Sequence, residues 1–103
     1  MTHHRPRQPL FDLGDIVATP AALAATSHDY RLACLSQHLA GDWGCVCTED
    51  RATNDAAVKD GERILSAYAL NPARPCEGFG DNTLWIITEC DRSATTFLLP
   101  DDY

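Results

Sequence analysis

The sequence predicts an α+β domain, with helices first and a small antiparallel sheet after them. Helical spacing of apolar residues dominates between Thr19 and Asp60, two-residue alternation dominates from Ile64 onward, and Gly and Pro clusters separate the segments. A chain of 103 residues with 45% hydrophobic composition covers one core. The expected organisation is an arm, residues 1–9, followed by a single domain, residues 10–103.

Met1 to Pro9 carries Pro6, Pro9, His3, His4 and two arginines without an apolar period, and reads as a flexible arm. The β-branched pair Ile16-Val17, within Leu10 to Ala18, predicts a short first strand. Thr19-Pro20 is a helix start, a hydroxyl cap followed by Pro where its missing N–H costs nothing, and predicts a helix from Pro20 to Ala25. Ser27 caps a second helix, about Asp29 to Leu39, whose stripe Leu32, Leu35 and Leu39 is expected to face the core, with Gly41 ending it. Gly41-Asp42-Trp43-Gly44 predicts a sharp turn that tucks the indole against the domain. Thr48-Glu49-Asp50 caps a third, alanine-rich helix that stops at Gly61.

Alternation then marks Ile64 to Tyr68, Thr83 to Thr88 and Thr95 to Leu99 as three consecutive strands, with the last ended by Pro100. A Pro- and Gly-containing loop, Asn71 to Asn82, precedes the second of these. On it, Trp85 and Ile87 share one sheet face while Leu84 and Ile86 line the other. Both faces are apolar, so helices are expected on one, and a partner, the N-terminal strand or a second copy on the other.

The formal charge is −7, and setting aside Arg5 and Arg7 of the arm leaves six basic against 15 acidic residues, a net charge of −9. Such a domain repels a phosphate backbone, which disfavours direct nucleic-acid binding and suits a basic or nucleic-acid-binding protein partner. No apolar run reaches the roughly 20 residues of a membrane-spanning helix, and the start lacks a secretory signal, so a cytoplasmic protein with no membrane contact is expected. Five cysteines, Cys34, Cys45, Cys47, Cys76 and Cys90, cannot all pair within one chain, and reduced thiols are the expected state.

The segments Leu13 to Pro20, Gly41 to Gly44, Ile64 to Tyr68 and Leu84 to Glu89, with Asp91-Arg92-Ser93, Leu98-Leu99-Pro100 and Tyr103, together resemble a family of short bacterial proteins met on plasmids and other mobile elements, sometimes labelled type I restriction subunits. The resemblance covers most of the chain after Pro9. It implies a mobile-element or phage setting and no particular activity, and it transfers no catalytic or binding residue. Cys45-Val46-Cys47 and the length of the loop Asn71 to Asn82 depart from the family pattern.

No catalytic constellation or cofactor is indicated by the residues themselves. Gly78-Phe79-Gly80 lacks the Lys and hydroxyl residue of a phosphate loop, and no Gly-x-Ser-x-Gly elbow occurs. His38, Cys45 and Cys47 have the chemistry of zinc ligands or of a thiol with its base, but Cys-x-Cys without a second close pair is no finger or ribbon spacing. They define the alternative reading, a small metal-binding or redox enzyme, against scattered thiols and a boundary histidine. The leading expectation is an acidic, non-enzymatic protein-binding module, one concrete form being an inhibitor of a host defence complex such as a CRISPR or restriction assembly. Its candidate contacts are Trp43, the helix acids Glu49, Asp50 and Asp55, and the hairpin turn Glu89, Asp91, Arg92 and Ser93, where Asp91 and Ser93 are equally ordinary turn formers. A homodimer hiding the second sheet face is compatible with either reading.

Overall fold

Polar caps start the first two helices as their sequences dictate. A computed structural model describes residues 9–103, so the expectation for the arm falls, apart from Pro9, outside the described residues. Strand β1 spans Asp15–Ala18 and helix α1 Pro20–Ala25, with the Thr19 hydroxyl accepting the Ala22 N–H at 3.2 Å. Helix α2 spans His28–Leu39, and the Ser27 hydroxyl accepts the Tyr30 N–H at 3.1 Å. Helix α3 spans Thr48–Asp60, and here Cys47 rather than Thr48 holds the cap position, without a side-chain cap bond. Strands β2 (Ile64–Ala69), β3 (Thr83–Thr88) and β4 (Ala94–Leu98) follow, then a short 3₁₀ turn at Pro100–Asp102.

The four strands form one sheet in the order β1-β4-β3-β2. The three C-terminal strands are antiparallel neighbours, and the N-terminal strand adds to β4 in parallel, Ile16 beside Thr95 and Ala18 beside Phe97. The opposite edge is not left bare. The Ala67 N–H donates to the Trp43 carbonyl at 3.1 Å and the Cys45 N–H to the Ala67 carbonyl at 2.8 Å, so the segment after α2 lies along β2 and satisfies edge groups there.

Helices α1 and α2 cover the face that carries Tyr68, Leu84, Ile86 and Phe97, and Ala22, Cys34 and Leu35 complete that cluster. A second cluster gathers around β2, where Ile64 and Ala67 meet Trp43, Val46 and Ala57 of α3. The stripe buried on α2 is Cys34, Leu35 and His38, and Leu32 of the expected leucine stripe is 49% exposed. The helix is turned toward its polar residue because His38 finds partners for both ring nitrogens inside the sheet, which offsets the cost of burying it.

The second sheet face needs no second copy to hide it. Ile87 and Leu98 are 3% and 7% exposed. The chain's own end and loop contribute there: Tyr103 packs edge-on against Trp85 with centroids 5.9 Å apart, and the Trp85 indole donates to the Gly78 carbonyl at 2.8 Å. The loop is ordered by Asn82, whose amide donates to the carbonyls of Asn71, Arg74 and Pro75.

Two glycines with similar backbone angles have unequal surroundings. Gly44 (φ 76°) lies so close to β2 that a Cβ would stand 1.9 Å from the Ala67 carbonyl, whereas Gly61 (φ 73°), after α3, would meet nothing within 4 Å. Gly61→Ala is expected to cost about 1 kcal/mol of folding stability, the left-handed backbone penalty alone. Gly44→Ala is expected to cost about 3 kcal/mol or more, because the β2 edge pairing must also open. Urea midpoints of the two variants check this, and equal losses would remove the argument.

Candidate functional site

Inside the sheet-facing side of α2 lies a chain of hydrogen bonds whose direction is set at one end. The Thr95 hydroxyl donates to the Leu13 carbonyl at 2.8 Å, which can only accept. Thr95 therefore accepts from Thr88 at 2.8 Å, and Thr88, its proton committed, accepts from Nε2–H of His38 at 2.8 Å. Nδ1 is then the bare nitrogen and accepts from the Ser66 hydroxyl at 2.5 Å. His38 is held neutral as one tautomer, and burial, aided by the charge of Arg92, pushes its pKa down to about 3. A serine beside an imidazole is the chemistry of a nucleophile and its base, but Ser66, His38, Thr88 and Thr95 are each 0% exposed. The relay reaches no surface and ties elements together.

The expected zinc or thiol–base set does not converge. His38 is enclosed as described, Cys45 is bonded to Cys76, and Cys47 is exposed and free. No group of three or more His, Cys, Asp or Glu side chains among the described residues could hold a metal ion. The Cys45–Cys76 disulfide corrects the expectation of uniformly reduced thiols. It joins residues 31 apart in sequence, with Cα atoms 6.0 Å apart, and ties the loop 71–82 to the segment bordering β2. Cys34, buried on α2, has its thiol pKa raised by burial, and Cys90 is exposed.

Most of the proposed contact residues are committed to the fold. Trp43 is 2% exposed and its indole donates to Asp55 at 2.9 Å, so Trp43 presents no contact surface and the Asp55 carboxylate already has a partner. Arg92 adopts a left-handed backbone (φ 59°), and its guanidinium donates to the carbonyls of Ala57 at 3.0 Å and Glu62 at 2.6 Å. The Ala57 carbonyl already accepts the Gly61 and Glu62 N–H groups of the helix cap, so the guanidinium adds a further donor there and its charge complements the helix dipole. The same group lies 5.5 Å from the Phe11 ring centre. The Asp91 carboxylate accepts the Ser93 N–H at 3.0 Å, and its pKa is lowered chiefly by hydrogen bonding from Ser93. The Ser93 carbonyl accepts the Asp15 N–H at 3.0 Å. Asp91, Arg92 and Ser93 thus build the turn and anchor β1. Glu49, Asp50 and Glu89 remain as exposed carboxylates.

Two surface depressions were not foreseen. An apolar groove of about 430 Å³ runs beside β1, lined by Ile16, Leu23, Leu32, Leu35 and Phe97 with His28 and Arg31 among its walls. A smaller crevice of about 210 Å³ lies between α3 and the loop 71–82, with Asp50, Glu77, Leu65, Phe79 and Trp85 around it. The exposed residues Ile16 and Leu32 were legible as apolar, but not that β1 would be an edge strand.

No family model, curated protein or solved structure matches the chain. No helix among the described residues is long and apolar enough to cross a membrane.

Two outcomes are expected. Unfolded but unreduced protein should expose three reactive thiols, those of Cys34, Cys47 and Cys90, and full reduction should expose five and lower stability. By loop-closure entropy for a 31-residue separation the loss is about 3 to 4 kcal/mol. Five thiols before reduction would remove the bridge. For His38, whose folded pKa of about 3 lies below its ordinary 6.5, the unfolded chain binds the proton first as pH falls. The stability due to neutral His38 is complete above about pH 6.5 and is lost toward pH 3, by at most about 5 kcal/mol. Long-range ¹H–¹⁵N spectra should show Nδ1 unprotonated at pH 5, and a titrating ring at that pH would contradict the relay.

Proposed function

We propose that this chain is an acidic, non-enzymatic module that binds a basic protein surface. The observation that carries the reading is how the chain uses its cations. All 15 carboxylate side chains belong to exposed residues. Of the arginines among the described residues, Arg31, Arg51 and Arg92 donate to main-chain carbonyls, and Arg63 donates to the Tyr103 hydroxyl. A single ion pair joins a described cation to a carboxylate, Arg74 to Asp81 at 3.7 Å, and it is itself exposed. Fifteen exposed acidic residues against six described basic ones leave a net negative field, few of its charges locally paired, and a partner of opposite sign gains from it in encounter rate and in specificity.

The resemblance to mobile-element proteins supplies a setting, in which the partner is a nucleic-acid-binding protein and the concrete form is inhibition of a host defence complex, CRISPR or restriction. An acidic domain that occupies a basic nucleic-acid channel competes with the phosphate backbone for it. Of the α3 acids, Glu49 and Asp50 carry this reading, because Asp55 is engaged by Trp43.

A second reading rests on the β1 edge, where Ile16 and Val17 are 52% and 48% exposed on successive, opposite-facing positions. Pairing of two such edges makes a homodimer with one continuous sheet. Light scattering on a size-exclusion column tests it, and a monomer at high concentration ends it.

The leading reading is tested by pull-down from cells carrying defence systems at low and high salt. A stoichiometric basic partner is expected, captured several-fold less by a Glu49→Gln/Asp50→Asn variant whose urea midpoint stays near the parent's. Capture that ignores both salt and the double substitution would sink the reading.

A further inference from the structure

The crevice between α3 and the loop 71–82 joins two kinds of wall. Leu65 and Trp85, from neighbouring strands on one sheet face, form its apolar part, and Phe79 stands at its lip, 66% exposed. Asp50 comes from the first turn of α3 and Glu77 from the loop, so acidic residues from two separate segments line it. Neither makes an ion pair with a cation among the described residues. A third depression, of about 210 Å³, shares Asp50 and Leu65 with the crevice and extends it toward Arg63.

The polar atom of the Trp85 indole is already spent on the Gly78 carbonyl, so what Trp85 offers the crevice is ring surface. The same aromatic group shows a guanidinium in place: Arg63 lies 5.6 Å from the Tyr103 ring centre, and Tyr103 packs edge-on against Trp85. Aromatic surface flanked by carboxylates matches a flat, weakly hydrated cation that stacks and donates in pairs, which describes guanidinium better than ammonium. The volume, about 210 Å³, is below the roughly 300 Å³ at which small-molecule sites begin, and suits one long side chain. Carboxylates on two walls oppose a phosphate.

We propose that this crevice receives an arginine side chain of the basic partner protein, inserted along Trp85 and held between Asp50 and Glu77. The inference rests on the acidic-module reading and names the contact within it. Glu77 separates the two, because it lies outside α3 and gains importance only through the crevice.

The test titrates the ¹⁵N-labelled full chain with blocked Gly-Arg-Gly, and with counterparts in which lysine or the neutral isostere citrulline replaces arginine. The arginine peptide should shift the Trp85 indole N–H and the Leu65 and Gly78 amides. The lysine peptide should bind more weakly and the citrulline peptide about tenfold more weakly or less, and Asp50→Asn/Glu77→Gln should reduce arginine binding about tenfold. Urea midpoints and the ligand-free Trp85 indole resonance establish that the variant is folded. Equal response to citrulline or lysine, or shifts confined to another surface, would overturn the proposal. So would unchanged capture of the basic partner by Glu77→Gln alone. If that partner is still captured in a salt-dependent way while the peptide leaves Trp85 undisturbed, the crevice assignment fails and the acidic-module reading stands; loss of both results ends both.

Discussion

The hydrogen-bonded histidine at the centre of the sheet is what the other elements are arranged around. Through Ser66, Thr88, Thr95 and the Leu13 carbonyl, His38 links α2 to β2, β3, β4 and the segment leading into β1. A buried polar network is stabilising only when every member is paired, and here each proton has one destination because the last acceptor is a carbonyl. The relay orients α2 with its polar residue inward, which turns Leu32 outward and creates the apolar groove beside β1. The surface thus inherits its shape from a requirement of the core.

Arg92 plays a matching part at the other end of the molecule. Its guanidinium, fed from the β3–β4 turn, collects carbonyls from α3 and from Glu62, and its charge faces the buried imidazole closely enough to help keep it neutral. Cations spent on backbone carbonyls are unavailable to carboxylates. The acidic surface comes from composition, and the fold leaves it largely without local ion pairs.

Local chemistry made much of the fold legible. Thr19-Pro20 and Ser27 cap helices where their side chains can reach backbone donors, Gly61 ends α3, and alternation after Ile64 marks three strands within a residue or two of their bounds. The site was less legible. The turn Glu89 to Ser93 has the composition of a functional tip, yet only its long-range partners reveal Arg92 as a clamp and Asp91 as a turn former. His38 sat at the edge of a leucine stripe, and nothing local showed that two strands would each bring it a hydroxyl.

What the sequence by itself determined is the order and type of the elements, the acidic balance and the presence of indole and thiols in the Trp43 to Cys47 segment, because caps, glycines and periodicity act within a few residues. Tertiary structure decided which face of α2 is buried, that Cys45 meets Cys76, that β1 lies at an edge beside β4, and which carboxylates remain without partners. Each of those is a pairing between segments distant in the chain, and its free energy exists only once the sheet has brought the two partners together.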